Sequence, residues 1–221
     1  MESESDTIEL KTDFASALSA LDQPPRGPEF AIAANRFHRV KAEEKNRRRG
    51  IRKWIRPENA RALLEHLPTN PDERTHAVLR GDFVLCDIIP AIIRERGRCP
   101  HLHIATLGMS GANAATLADL HQAGLIGEIT ICCSIYFRQV DRTGTWPEVE
   151  SHLGGIAKLI VSRNHAKVIC LPTESGDHYV IEGSANLRSS DNLEQIVVFN
   201  DPELVAFHRG WMAELESRDH A

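Results

Sequence analysis

Five side chains of distinct chemistry fall close together between residues 165 and 194: the imidazole of His165, the ammonium of Lys167, the hydroxyl of Ser184, the carboxamide of Asn186 and the carboxylate of Glu194. His165 and Lys167 are two residues apart, as are Ser184 and Asn186. Those groups suit a phosphodiester. A neutral imidazole can attack phosphorus directly. Lysine and asparagine can hold the non-bridging oxygens as charge redistributes in the transition state, the lysine as a point charge. A nearby carboxylate can orient the imidazole through its second ring nitrogen; Glu194 is the candidate and Asp191 its rival. Without the Ser–Asn pair behind it, the His–Lys pair would read as an ordinary surface-strand pair.

Positioning these groups requires strands. Side chains two apart on a strand share a face, so His165 and Lys167 should point one way while Ala166 and Val168 point into the packing. HAKVICLP and HYVIEGS read as two strands joined through the turn TESGD. Gly183 ends the second, where a glycine tolerates close backbone approach. Upstream, HAVLRG reads as a strand. FVLCDIIPAIIRERG reads as a helix interrupted at Pro90, LHIATLG as a strand and NAATLADLHQAG as a helix. EITICCSIYF is a continuous apolar run, typical of a strand buried on both faces. TWPEVESHLGG should be a helix capped by Thr145. IAKLIVS and EQIVVF complete the strands, and NDPELVAFHRGWMAELE is a helix with Asp201 as N-cap and Pro202 at its first position. The alternation, followed by a hairpin, predicts an α/β fold: a mixed central sheet flanked by helices, with a helical basic N-terminal extension.

Composition sets the limits. The chain has 221 residues, 42% hydrophobic and 26% charged, and only 5% aromatic, which is globular with an aliphatic core. No apolar run approaches the roughly 18 residues of a membrane helix, so no membrane insertion is expected. The start, MESESDTIEL, lacks the basic-then-apolar order of a signal peptide. Five cysteines without framework spacing suggest free thiols, and together these features point to the cytoplasm. Charge is uneven along the chain. Residues 1–30 hold seven acids against Lys11 and Arg26; residues 36–56 hold ten basic residues against Glu43 and Glu44. Three regions follow: an acidic, partly disordered tail and linker at 1–30, a basic helical extension at 31–70 and a catalytic domain at 71–221. The basic block, with Phe37 and Trp54 interleaved, suits contact with nucleic-acid phosphates rather than bases. Arg47, Arg48, Arg49, Arg52 and Lys53 carry that expectation. A solvated helix, an anionic membrane surface or a partner subunit would suit the same residues.

The order H-A-K at 165–167, G-S-A-N at 183–186 and N-L-E at 192–194 resembles the phospholipase D superfamily, over roughly residues 75–216. The resemblance implies a metal-independent phosphodiesterase with no cofactor, most simply a nuclease, working through a phosphohistidine. His165 would be the nucleophile, and a second histidine would protonate the leaving oxygen and then activate water. Lys167 and Asn186 would bind phosphate, and Ser184 would hydrogen-bond it or position its neighbours. The motif occurs once here, and single-copy members build one site across a homodimer, so a homodimer acting on nucleic acid, DNA more than RNA, is implied. Pro172 stands where the fuller motif has Asp. Two other readings remain: a binding protein without turnover, and a lipid phosphodiesterase.

Other residues draw blander readings. His101 and His103 share a strand face but have no third ligand at recognisable spacing, so a core or rim role is expected. Cys132 and Cys133 should be core. SGANAATL reads as a strand-to-helix loop near the site, and Arg138, Arg163 and Arg188 as residues lining a substrate groove.

Overall fold

The computed structural model describes residues 50–57, 59–79, 84–140, 144–188 and 192–219, with side chains to residue 215. The acidic tail, Arg47, Arg48, Arg49 and Asp191 lie outside the described residues. The described chain contains β1 (Arg52–Ile55), α1 (Ala60–Leu64), β2 (Arg74–Leu79), a 3-10 turn, α2 (Ile88–Arg96), β3 (Cys99–Thr106), α3 (Gly111–Gln122), β4 (Ile126–Ser134), α4 (Ile135–Val140), α5 (Thr145–Leu153), β5 (Ala157–Ser162), β6 (Val168–Pro172), β7 (His178–Gly183), β8 (Glu194–Asn200) and α6 (Pro202–Asp219).

The strands form one mixed sheet in the order β1-β2-β8-β7-β6-β3-β4-β5. β3, β4 and β5 are parallel. β6 turns back antiparallel to β3, and β6, β7 and β8 continue antiparallel. Each face has its own core. On one, Leu63, Ile88, Ile92, Leu117, Val149 and Leu153 from the helices α1, α2, α3 and α5 meet Ile104, Ile131 and Ile181 of the sheet. On the other, Val205 and Met212 of α6 cover Ala105, Cys132, Ile160, Val168, Cys170 and Val180. β4 shows why a strand between two layers reads as an unbroken apolar run: Cys132 faces α6 while Ile131 and Cys133 face the other core. All five cysteines are buried, and none forms a disulfide.

Polar residues mark the helix starts. Asn59 and Ser110 accept from the Ala62 and Asn113 amides at 3.0 and 3.2 Å. Asp201 accepts from the Glu203 and Leu204 amides at 2.9 and 3.2 Å, satisfying donors that a helix leaves orphaned.

Four local readings need correction. Arg52–Ile55 is a strand rather than a helix: it pairs in parallel with β2, with Trp54 opposite His76, and Ile55 packs on the larger core. The basic composition there concealed a two-residue alternation. Pro90 does not interrupt its helix, because it is the third residue of α2, where its missing N–H has no bond to lose. Thr145 is the first residue of α5 and Gly144 precedes it, with no side-chain cap. Ile135 to Phe137 leave the strand and open α4.

Candidate active site

The carboxyl ends of β3, β4 and β5 meet the start of β6, the end of β7 and the start of β8 at one edge of the sheet. Register fixes this: Ala105, at the end of β3, lies opposite Val168, the first residue of β6, and Val168 lies opposite Glu182. Gly183 in turn lies opposite Ile196. Ligands of α/β sheets favour such an edge, beyond the carboxyl ends of parallel strands.

His165 and Lys167 stand on the extended segment just before β6, three residues and one residue ahead of Val168. Lys167 continues the ladder, its carbonyl accepting from the Gly183 amide at 3.3 Å. The alternation holds: Ala166 and Val168 pack into the α6-side core, and His165 is exposed. Lys167 Nζ lies 3.0 Å from His165 Nδ1 and donates to the His165 carbonyl at 2.8 Å. Burial pushes the Lys167 ammonium below its usual pKa, while nearby Glu194 acts in the opposite direction.

Beside them, Ser184 and Glu194 form a second unit. The Ser184 hydroxyl donates to Glu194 Oε2 and accepts from the Gln195 amide at 3.1 Å. The Ser184 amide donates to the Gln195 carbonyl at 2.9 Å. This tight crossing depends on Gly183, where a Cβ would sit 2.1 Å from the Gln195 carbonyl oxygen. Glu194 therefore engages Ser184 and influences Lys167; its hydrogen bond goes to the hydroxyl and not to the imidazole.

Asn186 reaches the β3 side of the site. Its Oδ1 accepts from the Leu107 amide at 3.2 Å, and Met109 and Leu187 form a parallel bridge one step on. Thr106 braces both segments, donating to the Gly108 carbonyl at 2.9 Å and accepting from the Leu187 amide at 3.4 Å.

One positioning residue escaped the sequence reading. Asn164 is buried; its Nδ2 donates to the Cys132 carbonyl at 2.9 Å, and its Oδ1 accepts from the Ala166 amide at 2.8 Å. It ties the end of β4 to both flanks of His165. The only signal was an asparagine abutting the motif, and an asparagine in that position usually reads as a turn residue.

A cavity of about 570 Å³ opens here, lined by Leu107, Ser134, Tyr136, Arg163, Asn164 and His165 among others. A second, of about 320 Å³, shares Leu107 and Tyr136 with it and includes Arg188. Arg138 lines neither; its guanidinium lies 5.9 Å from the centre of the Trp146 ring. Arg52 and Lys53 stand on the edge strand β1, with β2 and β8 between them and β7, and Lys53 approaches Glu73 at 3.8 Å. His101 and His103 stack with ring centres 3.8 Å apart, away from the cavity linings. Pro172 closes β6 opposite His178. Among the described residues no cluster of metal-ligating side chains occurs, and no helix is long and apolar enough to cross a membrane.

No family model and no curated protein sequence matches the chain. Solved structures do resemble it. Nuc from Salmonella typhimurium, a phospholipase D family member, is 15% identical, with 55% of this chain and 81% of that one aligned at a TM-score of 0.44. NucT from Helicobacter pylori is 14% identical over 66% of this chain and 97% of that one, at 0.43. Polyphosphate kinase from Porphyromonas gingivalis is 11% identical over 70% of this chain but only 28% of its own, at 0.53. At these identities the likeness concerns architecture alone: an eight-stranded mixed sheet flanked by helices on both faces, an α/β fold.

Proposed function

We propose that the protein is a phosphodiesterase of the phospholipase D type that cleaves nucleic acid, DNA in preference to RNA, through a phosphohistidine at His165. The observation that carries this reading is the Lys167–His165 contact at 3.0 Å, beside the 570 Å³ cavity that His165 lines. A phosphate reaching His165 from the cavity meets a ring nitrogen that has an ammonium 3.0 Å away. Asn186 has its oxygen committed to the Leu107 amide, which leaves its NH2 group to donate to a non-bridging phosphate oxygen. These groups carry the charge that a metal carries in other phosphodiesterases, so the reaction is proposed to run without metal or cofactor.

In the first step a ring nitrogen of His165 attacks phosphorus, a P–N bond forms, and the P–O bond to the leaving oxygen breaks. The leaving oxygen takes a proton. Water then attacks the phosphohistidine and restores the ring. His165 is the one histidine among the described residues lining either cavity. We assign the proton donor to the His165 of a second copy, which makes the working unit a homodimer. Ser184 and Glu194 act by holding the β7–β8 crossing and setting the charge around Lys167. Arg188 neutralises phosphate next to the cleavage point. The basic block, including Arg47, Arg48, Arg49, Arg52 and Lys53, neutralises phosphates farther along the strand.

The test is cleavage of end-labelled DNA and RNA in excess EDTA by the wild type and by His165→Ala, alongside sedimentation of both proteins. Cleavage that survives EDTA, disappears in the variant and accompanies a dimer supports the reading. Activity equal in both proteins, or a strictly monomeric active enzyme, overturns it. Salt-sensitive binding without turnover would favour a binding protein, and headgroup release from phospholipid vesicles a lipid enzyme.

A further inference from the structure

Helix α4 is short and lopsided. Its inner side is fixed: Phe137 is buried edge-on against Trp146, with ring centres 5.6 Å apart and planes at 79°. The Phe137 ring lies so close to Gly108 that a Cβ there would be 2.9 Å from it. The helix start is fixed too, since the Tyr136 amide donates to the Ser134 hydroxyl at 3.2 Å. On the outer side, Tyr136 and Val140 are four residues apart and so share a face. They are 69% and 74% exposed. A rigid helix that presents an aromatic ring and an aliphatic side chain to water beside a polar site invites an occupant.

Tyr136 stands where the two cavities meet. One holds Arg163 and His165, the other Arg188 and Val140. The Tyr136 ring therefore borders one cavity that holds Arg163 and the candidate nucleophile and a second that holds Arg188. That alternation of cation, ring and cation complements one nucleotide with its flanking phosphates.

We propose that Tyr136 is a stacking platform for an unpaired base next to the phosphate held at His165, which makes the protein selective for single strands. The inference rests on the phosphodiester reading of His165. In a duplex both faces of a base are already stacked on neighbours, and reaching Tyr136 would require unstacking it. A base in a single strand is free to lie on the ring, and such stacking tolerates any sequence because every base has a π-face.

The test is binding to the full-length protein in excess EDTA, followed by fluorescence anisotropy. The probes are a short oligothymidylate, an abasic strand of equal length and charge, and a duplex of the same length. Wild type should bind the oligothymidylate more tightly than the other two. Tyr136→Ala should weaken binding of the oligothymidylate roughly 5- to 100-fold and leave the abasic strand unchanged, while Tyr136→Phe should retain wild-type affinity. Equal weakening on both strands, or no weakening, overturns the proposal. Tyr136 is mostly exposed, so the alanine variant should keep the wild-type melting temperature. If the binding pattern holds but no strand is cleaved, the catalytic reading fails and the platform stands. If cleavage occurs without discrimination and Tyr136→Ala changes nothing, the platform alone fails.

Discussion

Lys167 meets His165 twice, its Nζ 3.0 Å from the ring Nδ1 and 2.8 Å from the same residue's carbonyl oxygen. An ammonium that donates to Nδ1 leaves the proton of a neutral ring on Nε2. The lysine has three donors, and the contact holds the ring in place; under the proposed function, a phosphate oxygen competes for those donors.

Replacing this ammonium removes a charged hydrogen-bond donor. Lys167→Met should weaken inorganic phosphate binding roughly 10- to 100-fold, measured by titration calorimetry. Because burial lowers the Lys167 pKa, wild-type affinity should decline on the alkaline side at a lower pH than an ordinary lysine would give. Unchanged affinity in the variant would mean that Lys167 serves the fold and not the anion.

From a buried position Asn164 bonds to the end of β4 and to the Ala166 amide of the segment that leads into β6. Asn164→Ala leaves the Cys132 carbonyl and the Ala166 amide without that partner and should cost about 1 to 3 kcal/mol in urea denaturation. Its effect on phosphodiester cleavage should exceed that of an exposed substitution such as Glu174→Ala, because the segment carrying His165 loses its anchor.

Gly183 admits the Gln195 carbonyl at a distance no side chain permits. Gly183→Ala should push β7 and β8 apart and destabilise the protein by roughly 1 to 3 kcal/mol, read from the urea midpoint. The Ser184–Glu194 hydrogen bond lies at the displaced crossing, so turnover should drop more than phosphate binding.

The stacked histidines predict acid sensitivity. Burial, and then the adjacent His101 ring, hold His103 down to about 4, with Arg209 and Lys158 adding to the effect. An unfolded histidine titrates near 6.5. Between those values the unfolded chain takes up a proton that the fold refuses. Stability is therefore full above about 6.5, falls as pH drops toward 4, and loses up to about 3 kcal/mol from this residue. His103 is 5% exposed, and its Nδ1 is buried without a hydrogen-bond partner among the described residues, so His103→Phe should flatten this part of the profile. Urea midpoints across that pH range, identical in slope for both proteins, would contradict the assignment.

Much of this was legible residue by residue. Asp201 followed by Pro202 marks the start of α6 because capping is local chemistry. The apolar run through Cys132 and Cys133 marks a doubly covered strand because both of its faces are buried. Pro90 was harder to read, since a proline breaks a helix only past its first turn, and the helix boundary was not visible. Arg52–Ile55 was harder still: its charge suggests a solvated helix, and only pairing with β2 makes it a strand.

The sequence by itself determined which chemical groups are present, their two-residue alternation around Val168 and Gly183, and the alternation of strands and helices that yields a mixed sheet, because each depends on neighbours along the chain. Tertiary structure decided which groups meet. Strand order and register bring Leu107 to Asn186, 79 residues apart, and Asn164 to Cys132, 32 residues apart. They also give Glu194 to Ser184 and set Tyr136 and His165 on one cavity. Such distances close only when non-local packing offsets the entropy of ordering the chain between them, and no local pattern records which closures the core will favour.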